Sequence, residues 1–269
     1  MKIAIDTHTH SVASGHAYST IDDLAKGARR RGLKGFVLTD HGPGLPGGTH
    51  LYHFGNLRVL PDRIRGVRFF RGAETNIMDM DGRVDMDINY LARLDFVMAG
   101  FHEICFAPRS REENTQAMIA ALANPGVDAI SHPGNPSFPI DAPAVVRAAR
   151  DYGKAIEIND SSFRIRRGSD ENCRGIAELC VAQGTLMVCG SDAHYWEDVG
   201  RFDSALKLLA SIKAPTRLVA NASEKSFHAF VDGRRKAREA AAADKAAADK
   251  VAGAAEAAAK PAGAAAGGA

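Results

Sequence analysis

Apolar residues along the chain gather in short runs, and nearly every run stops at a histidine, aspartate or glutamate. Ile3-Ala4-Ile5 leads into Asp6, His8 and His10, Gly35 to Asp40 ends at His41, and Val67 to Ala73 ends at Glu74. Asp95 to Phe101 delivers His102, Val127 to Ser131 delivers His132, and Leu186 to Ser191 delivers Asp192 and His194. The run Ala155 to Ile158 ends at Asn159 and adds no obvious ligand, so six of seven run ends carry one. Alternate residues of a strand share a face, which predicts that Asp6, His8 and His10 project together.

Between the runs lie amphipathic, helix-like segments: Ile21 to Arg31, Thr115 to Ala123, Asp141 to Tyr152 and Asp170 to Gln183. Gly32, Gly153 and Gly184 stand where helices stop. Strand alternating with helix predicts a parallel sheet, and polar residues gathered at one end of the strands favour a closed or nearly closed β/α barrel. Arg217 to Ala220 and Ser223 to Val231 are expected to complete its wall, with Ser223 capping a helix before Glu224. Asn76 to Asp85, turning at Asp81-Gly82, reads as a hairpin excursion whose acidic residues are solvated. From Arg234 the composition turns to alanine with scattered charge, then Pro261 and glycines. This divides the chain into a catalytic domain, 1–233, and a low-complexity tail, 234–269, helical to about Val251 and disordered beyond it.

A length of 269 residues, 45% hydrophobic, is enough for one α/β barrel with a full core. The net charge of +2 gives no electrostatic reason to expect nucleic acid or membrane as partner. The first apolar run starts too early for a secretion leader, so the expectation is a cytoplasmic protein with reduced cysteines. Cys189 reads as core and Cys105, near His102, as a weak ligand candidate.

Seven of the ten histidines (His8, His10, His16, His41, His102, His132 and His194), with Glu74 and Asp192, make nine candidate ligands. That number suits two or three divalent ions with open positions for water, and imidazole with carboxylate suits zinc, manganese or iron. Several such ions against two carboxylates leave a strongly positive pocket, which calls for an anion, and phosphoryl transfer fits it. His50 and His53 are expected at the entrance, His228 in a structural role and Asp40 behind the ligands. Gly42 to Gly48 lacks the Lys-Ser/Thr of a phosphate-cradling loop.

His8-Thr9-His10, Ser14-Gly15-His16, Thr39-Asp40-His41-Gly42-Pro43, Gly72-Ala73-Glu74, Phe101-His102-Glu103, Ser131-His132-Pro133-Gly134 and Gly190-Ser191-Asp192-Ala193-His194 together resemble the PHP (polymerase and histidinol phosphatase) superfamily. The resemblance covers about Ile5 to Phe230. It implies a distorted seven-stranded (β/α)7 TIM-like barrel with three divalent metal ions per subunit, zinc or manganese before iron or magnesium. It places His8, His10, Glu74 and Asp192 on one ion, Glu74, His102 and His132 on a second, and His16, His41 and His194 on a third. Relatives in the superfamily often form a homo-oligomer, and the sequence leaves the oligomeric state of this chain open.

The expected activity is hydrolysis of a small-molecule phosphomonoester by a metal-bridging hydroxide, with Glu74, Asp192 and His194 as the catalytic residues. Asn159, Ser161, Arg166 and Arg167 are candidate contacts for substrate phosphate. Alternatives are a 3'-5' exonuclease or phosphodiesterase and a non-catalytic metal-binding module. The chain has no basic stripe for a nucleic acid, and its complete ligand set argues against decay.

Overall fold

The seven apolar runs become seven wall strands in the structure, a computed structural model describing residues 1–259. In chain order the strands are β1 (Ile5–Thr9), β2 (Gly35–Leu38), β3 (Arg63–Ile64), β4 (Val67–Asn76), β5 (Phe96–Gly100), β6 (Ala129–Ile130), β7 (Ala155–Asn159) and β8 (Leu186–Gly190). The wall order is β1-β2-β4-β5-β6-β7-β8, all parallel, and among the described strands the two-residue β3 pairs antiparallel, with β4. The helices are α1 (Ile21–Arg30), α2 (Leu51–Asn56), α3 (Ile88–Leu91), α4 (Arg111–Ala123), α5 (Ala142–Asp151), α6 (Ser162–Ile165), α7 (Ser169–Gln183), α8 (Asp203–Ser211) and α9 (Glu224–Ala259). The result is the expected nearly closed α/β barrel.

Local chemistry fixes the helix ends. Thr20 with Asp23 and Ser110 with Glu113 form capping boxes, so α4 starts four residues before the expected Thr115. Gly32, Gly153 and Gly184 all take positive φ where their helices stop, a conformation open to glycine at little cost. Among the described residues no helix is long and apolar enough to cross a membrane.

Between β1 and β8 the described residues form a single parallel bridge, Thr9 to Ala193 just past β8, rather than a ladder. Side chains span the rest of the seam: Asp6 accepts from the backbone and hydroxyl of Ser191, and Thr7 donates to the Cys189 carbonyl. Asn221 donates to the carbonyls of Ile5 and Cys189 and accepts from Cys189 N. This corrects two expectations. Arg217 to Ala220 is not a wall strand but lies in two 3-10 turns, with one bridge between Met187 and Val219, because the Asn221 amide fills the place where a strand would pair. Asp6 does not join His8 and His10, because the β1 register shifts between Asp6 and Thr9. Burial lifts the Asp6 carboxyl to about 6.

The strands' N-terminal ends enclose a small apolar core from Ile5, Val37, Phe70, Phe96, Ala129, Ala155 and Val188, into which α9 inserts Phe227 and Val231. Ser223 caps this helix, accepting from Ser226 N. The helix then runs unbroken across the expected boundary at 233/234 and past Val251 to Ala259; the rest of the expected disordered segment, 260–269, lies outside the described residues. Arg234 bonds Asp128, and the fully buried Arg238 bonds Asp128 and the carbonyls of Leu94 and Asp95. Residues 227, 231, 234 and 238 recur at helical spacing, so one face of α9 stops the base of the barrel.

Removing Arg238 leaves part of a buried carboxylate without its cation. Arg238→Ala is expected to lower unfolding free energy by roughly 3–5 kcal/mol, read by denaturant titration. Burial, with Arg234 and Arg238 nearby, lowers the Lys154 ammonium to about 7. Between about pH 7 and 10.5 the unfolded chain therefore holds a proton that the folded chain does not, and stability rises through that window. Lys154→Met is expected to flatten this rise in unfolding curves taken across that range.

Candidate metal centre

At the opposite end of the barrel the strand ends bring the polar residues together. Glu74, wholly buried near the end of β4, lies at the middle. Its Oε2 is 3.0 Å from His41 Nδ1, 3.2 Å from His8 Nε2 and 3.6 Å from His10 Nε2. Its Oε1 is 2.8 Å from His132 Nε2 and 3.5 Å from His102 Nε2. Asp192 Oδ1 adds a second carboxylate, 3.4 Å from His10 Nε2 and 3.5 Å from both His8 Nε2 and His194 Nδ1. His194 Nε2 lies 3.0 Å from His16 Nε2, and His16 is exposed, so this pair forms the open edge. All nine candidate ligands thus belong to one continuous cluster.

Within it, donor atoms close enough to share an ion come from His8, His10 and Glu74, from His41, Glu74 and His102, and from His10, His41 and His194. His10 and His41 sit between groups, so the geometry is more interleaved than three separate ligand sets. Cys105 belongs to none of these groups, and burial pushes its thiol up to about 11.

Four buried atoms in this cluster, His8 Nε2, His10 Nε2, His41 Nδ1 and Glu74 Oε2, make no well-aligned hydrogen bond, although His41 Nδ1 and His8 Nε2 lie 3.0 and 3.2 Å from Glu74 Oε2. Buried polar atoms are almost always bonded, so four unbonded ones facing a common centre are a donor set suited to a divalent cation. The charge pattern agrees. Burial alone would raise the Glu74 carboxyl, yet His8, His102 and His41 hold it well below the usual carboxylate range. Asp192 is likewise held low against its burial by His8, His10 and Arg166. Burial, aided by His41 and His194, drives His10 well below the ordinary imidazole value, towards the neutral form a metal requires. His8 goes the other way: its burial is outweighed by Glu157, Glu74 and Asp192.

A layer of polar groups orients the imidazoles. Asp40 accepts from Ser11 and from Ser14, and the Ser14 hydroxyl lies 3.3 Å from His10 Nδ1 and accepts from His41 N. His53 Nε2 stands 3.2 Å from Asp40, while His50 caps α2. His102 Nδ1 donates to Asn76 Oδ1 at 2.6 Å, and Asp85 accepts from Asn76 and from Gly44 N. Asp85 is therefore part of this support, contrary to the expectation that the hairpin acids are solvated. The sixth wall strand supplies Glu157, 2% exposed and hydrogen-bonded to His8 Nδ1 and His132 N. The signal for it was an acid inside an apolar run.

Of the residues expected at substrate, Asn159 is buried and bonded to Glu157, Asp192 and Ser162. Ser161 is buried, Arg167 is exposed, and the half-buried Arg166 reaches Ser162 Oγ at 2.9 Å and Asp192 Oδ2 at 3.5 Å. Two cluster residues, His132 (φ 32°) and Asp192 (φ 55°), take positive φ. Such backbone costs of order 1–3 kcal/mol per residue and persists where surrounding contacts impose it.

A family model for the PHP domain matches residues 6–132. A protein named "Probable phosphatase" from Acetivibrio thermocellus is 52% identical over 238 residues, spanning 88% of this chain and 98% of the relative. Another protein named as a probable phosphatase, from Caldanaerobacter subterraneus subsp. tengcongensis, is 49% identical over 238 residues, spanning 88% of this chain and 94% of the relative. Among solved structures, the histidinol phosphate phosphatase of Lactococcus lactis, complexed with zinc, L-histidinol and phosphate, aligns with a TM-score of 0.54 at 16% identity. The alignment covers 79% of this chain and 94% of that one, and it supports the barrel architecture.

Packing around the cluster leaves no room at Gly190, where a Cβ would fall on Glu157 Oε1 and His8 Cβ. Gly190→Ala is expected to destabilise the protein by about 1–3 kcal/mol through overpacking, measured by denaturant unfolding of the purified variant.

Proposed function

The chain belongs to the PHP domain family of phosphatases, and on that premise we propose that it hydrolyses small phosphomonoesters with divalent metal ions held by the His/Glu/Asp cluster. The observation carrying this reading is the set of four buried, unbonded donor atoms around Glu74. His8, His10, Glu74 and Asp192 would hold one ion, Glu74, His102 and His132 another, and His16, His41 and His194 a third, at the exposed edge. Zinc and manganese suit these donors best. When bound, such ions supply Lewis-acid charge to phosphoryl oxygens and lower the pKa of water.

The chain's own groups supply position and charge. Glu74 and Asp192 stand between the imidazoles as carboxylates, keeping the donor atoms convergent. Arg166, beside Asp192, offers a guanidinium to a phosphate oxygen at the cluster's margin. Asn159 acts on Asp192 rather than on substrate, because its amide is already committed to that carboxylate and to Glu157. His16 and His194 border the solvent-facing side, where a small ester can enter. The four free cysteines suit a reducing compartment, and we place the enzyme in the cytoplasm.

Chelation is expected to abolish hydrolysis of a phosphomonoester panel, and zinc or manganese to restore it, while single-stranded DNA is cleaved far more slowly. Glu74→Gln should lower kcat/KM on the order of 10²–10³-fold or more and reduce bound metal. A Glu74→Gln protein with full activity, or a wild-type enzyme indifferent to chelation, contradicts this function.

A further inference from the structure

Resting on the reading above, we propose that Glu157 is a positioning residue that fixes the tautomer of His8, and so decides which of its nitrogens is presented to a metal ion. The two Glu157 oxygens serve different neighbours. Oε1 lies 2.7 Å from His8 Nδ1, whereas Oε2 lies 2.7 Å from the backbone N of His132 and 3.2 Å from Asn159 Nδ2. A carboxylate only accepts hydrogen bonds, so the His8 proton must sit on Nδ1. In the neutral imidazole that binds a metal, this leaves the lone pair on Nε2, which has no well-aligned hydrogen-bond partner and faces Glu74 at 3.2 Å and Asp192 at 3.5 Å.

One carboxylate thereby reaches several strand ends. It holds His8 on β1 directly and the positive-φ backbone of His132 after β6. Through Asn159, which also donates to Asp192 Oδ2 at 3.2 Å, it steadies the second carboxylate after β8. The absence of a side chain at Gly190 makes room for it.

Hydrogen-bond logic makes the isosteric amide a sharp test. His132 N–H and Asn159 Nδ2 are both donors, so the amide oxygen of a glutamine at this position must face them. Its NH2 group is then turned on His8 and donates to Nδ1. The imidazole proton is forced onto Nε2, where it blocks the ligand atom. Glu157→Gln is therefore expected to impair metal binding about as much as Glu157→Ala, although it preserves shape. A role in packing alone predicts the opposite, with glutamine recovering most of what alanine loses.

The full-length chain, stripped with a chelator and titrated with Zn²⁺, provides the measurement, with bound zinc counted after dialysis. Both variants should lose roughly 10- to 100-fold in zinc affinity, while the metal-free glutamine variant melts close to metal-free wild type. Wild-type zinc affinity in Glu157→Gln overturns the assignment. Should that variant not fold, zinc-loaded wild type carries the test: ¹⁵N NMR must find the His8 proton on Nδ1, and a proton on Nε2 overturns it. The metal-dependent reading fails differently, through wild type that binds no zinc and cleaves no phosphomonoester, and the Glu157 assignment falls with it.

Discussion

The structure depends on keeping one carboxylate, Glu74, entirely out of water while five imidazoles surround it. An isolated carboxylate there would protonate rather than remain charged, since burial opposes the ionised form. It stays ionised because His8, His102 and His41 favour the anion more than burial opposes it. The arrangement is stable only with positive charge at its centre, which imidazolium, His8 first, or a divalent cation among the donors can supply. The electrostatics of folding and the donor set therefore favour the same thing, positive charge beside Glu74.

Holding that geometry requires a layer of hydrogen bonds behind the imidazoles. Asp40 acts through Ser14 on His10 and His41, Asp85 through Asn76 on His102, and Glu157 directly on His8. In two of these three cases the acid reaches its histidine through an uncharged side chain. The backbone strain at His132 and Asp192 falls in the same place. It persists because strand pairing below and hydrogen bonding above leave these residues little alternative.

The ligand candidates were legible because their residue types are uncommon at the ends of apolar runs and because the runs repeat. A chain in which six of seven strands end on such a side chain declares where they converge, since parallel strands of a barrel end on one rim. The supporting acids were not legible by the same rule. Glu157 sits inside a run and looks like an interruption, while Asp85 lies in a hairpin where acids are ordinarily solvated. Asp6 was misjudged because period-two alternation assumes a regular strand, and β1 shifts register after it. The tail's first turns were obscured by alanine content. Yet Phe227, Val231, Arg234 and Arg238 keep one helical face, a pattern visible once composition is set aside.

The two ends of this barrel solve opposite problems with similar residues. At the base, Arg234 and Arg238 bring their own charge to Asp128, and backbone carbonyls take other guanidinium hydrogens, so the pairing is largely complete within the chain. At the rim, donor atoms outnumber their internal partners, and the remainder face one another. Near-complete pairing, Arg238 Nε excepted, makes the base suited to closing the fold, where a ligand would have to displace formed contacts. The incomplete pairing at the rim would be a defect in a structural element. It is tolerable here because α9 and the interior apolar cluster anchor the strands from below, leaving their upper ends to be arranged for binding.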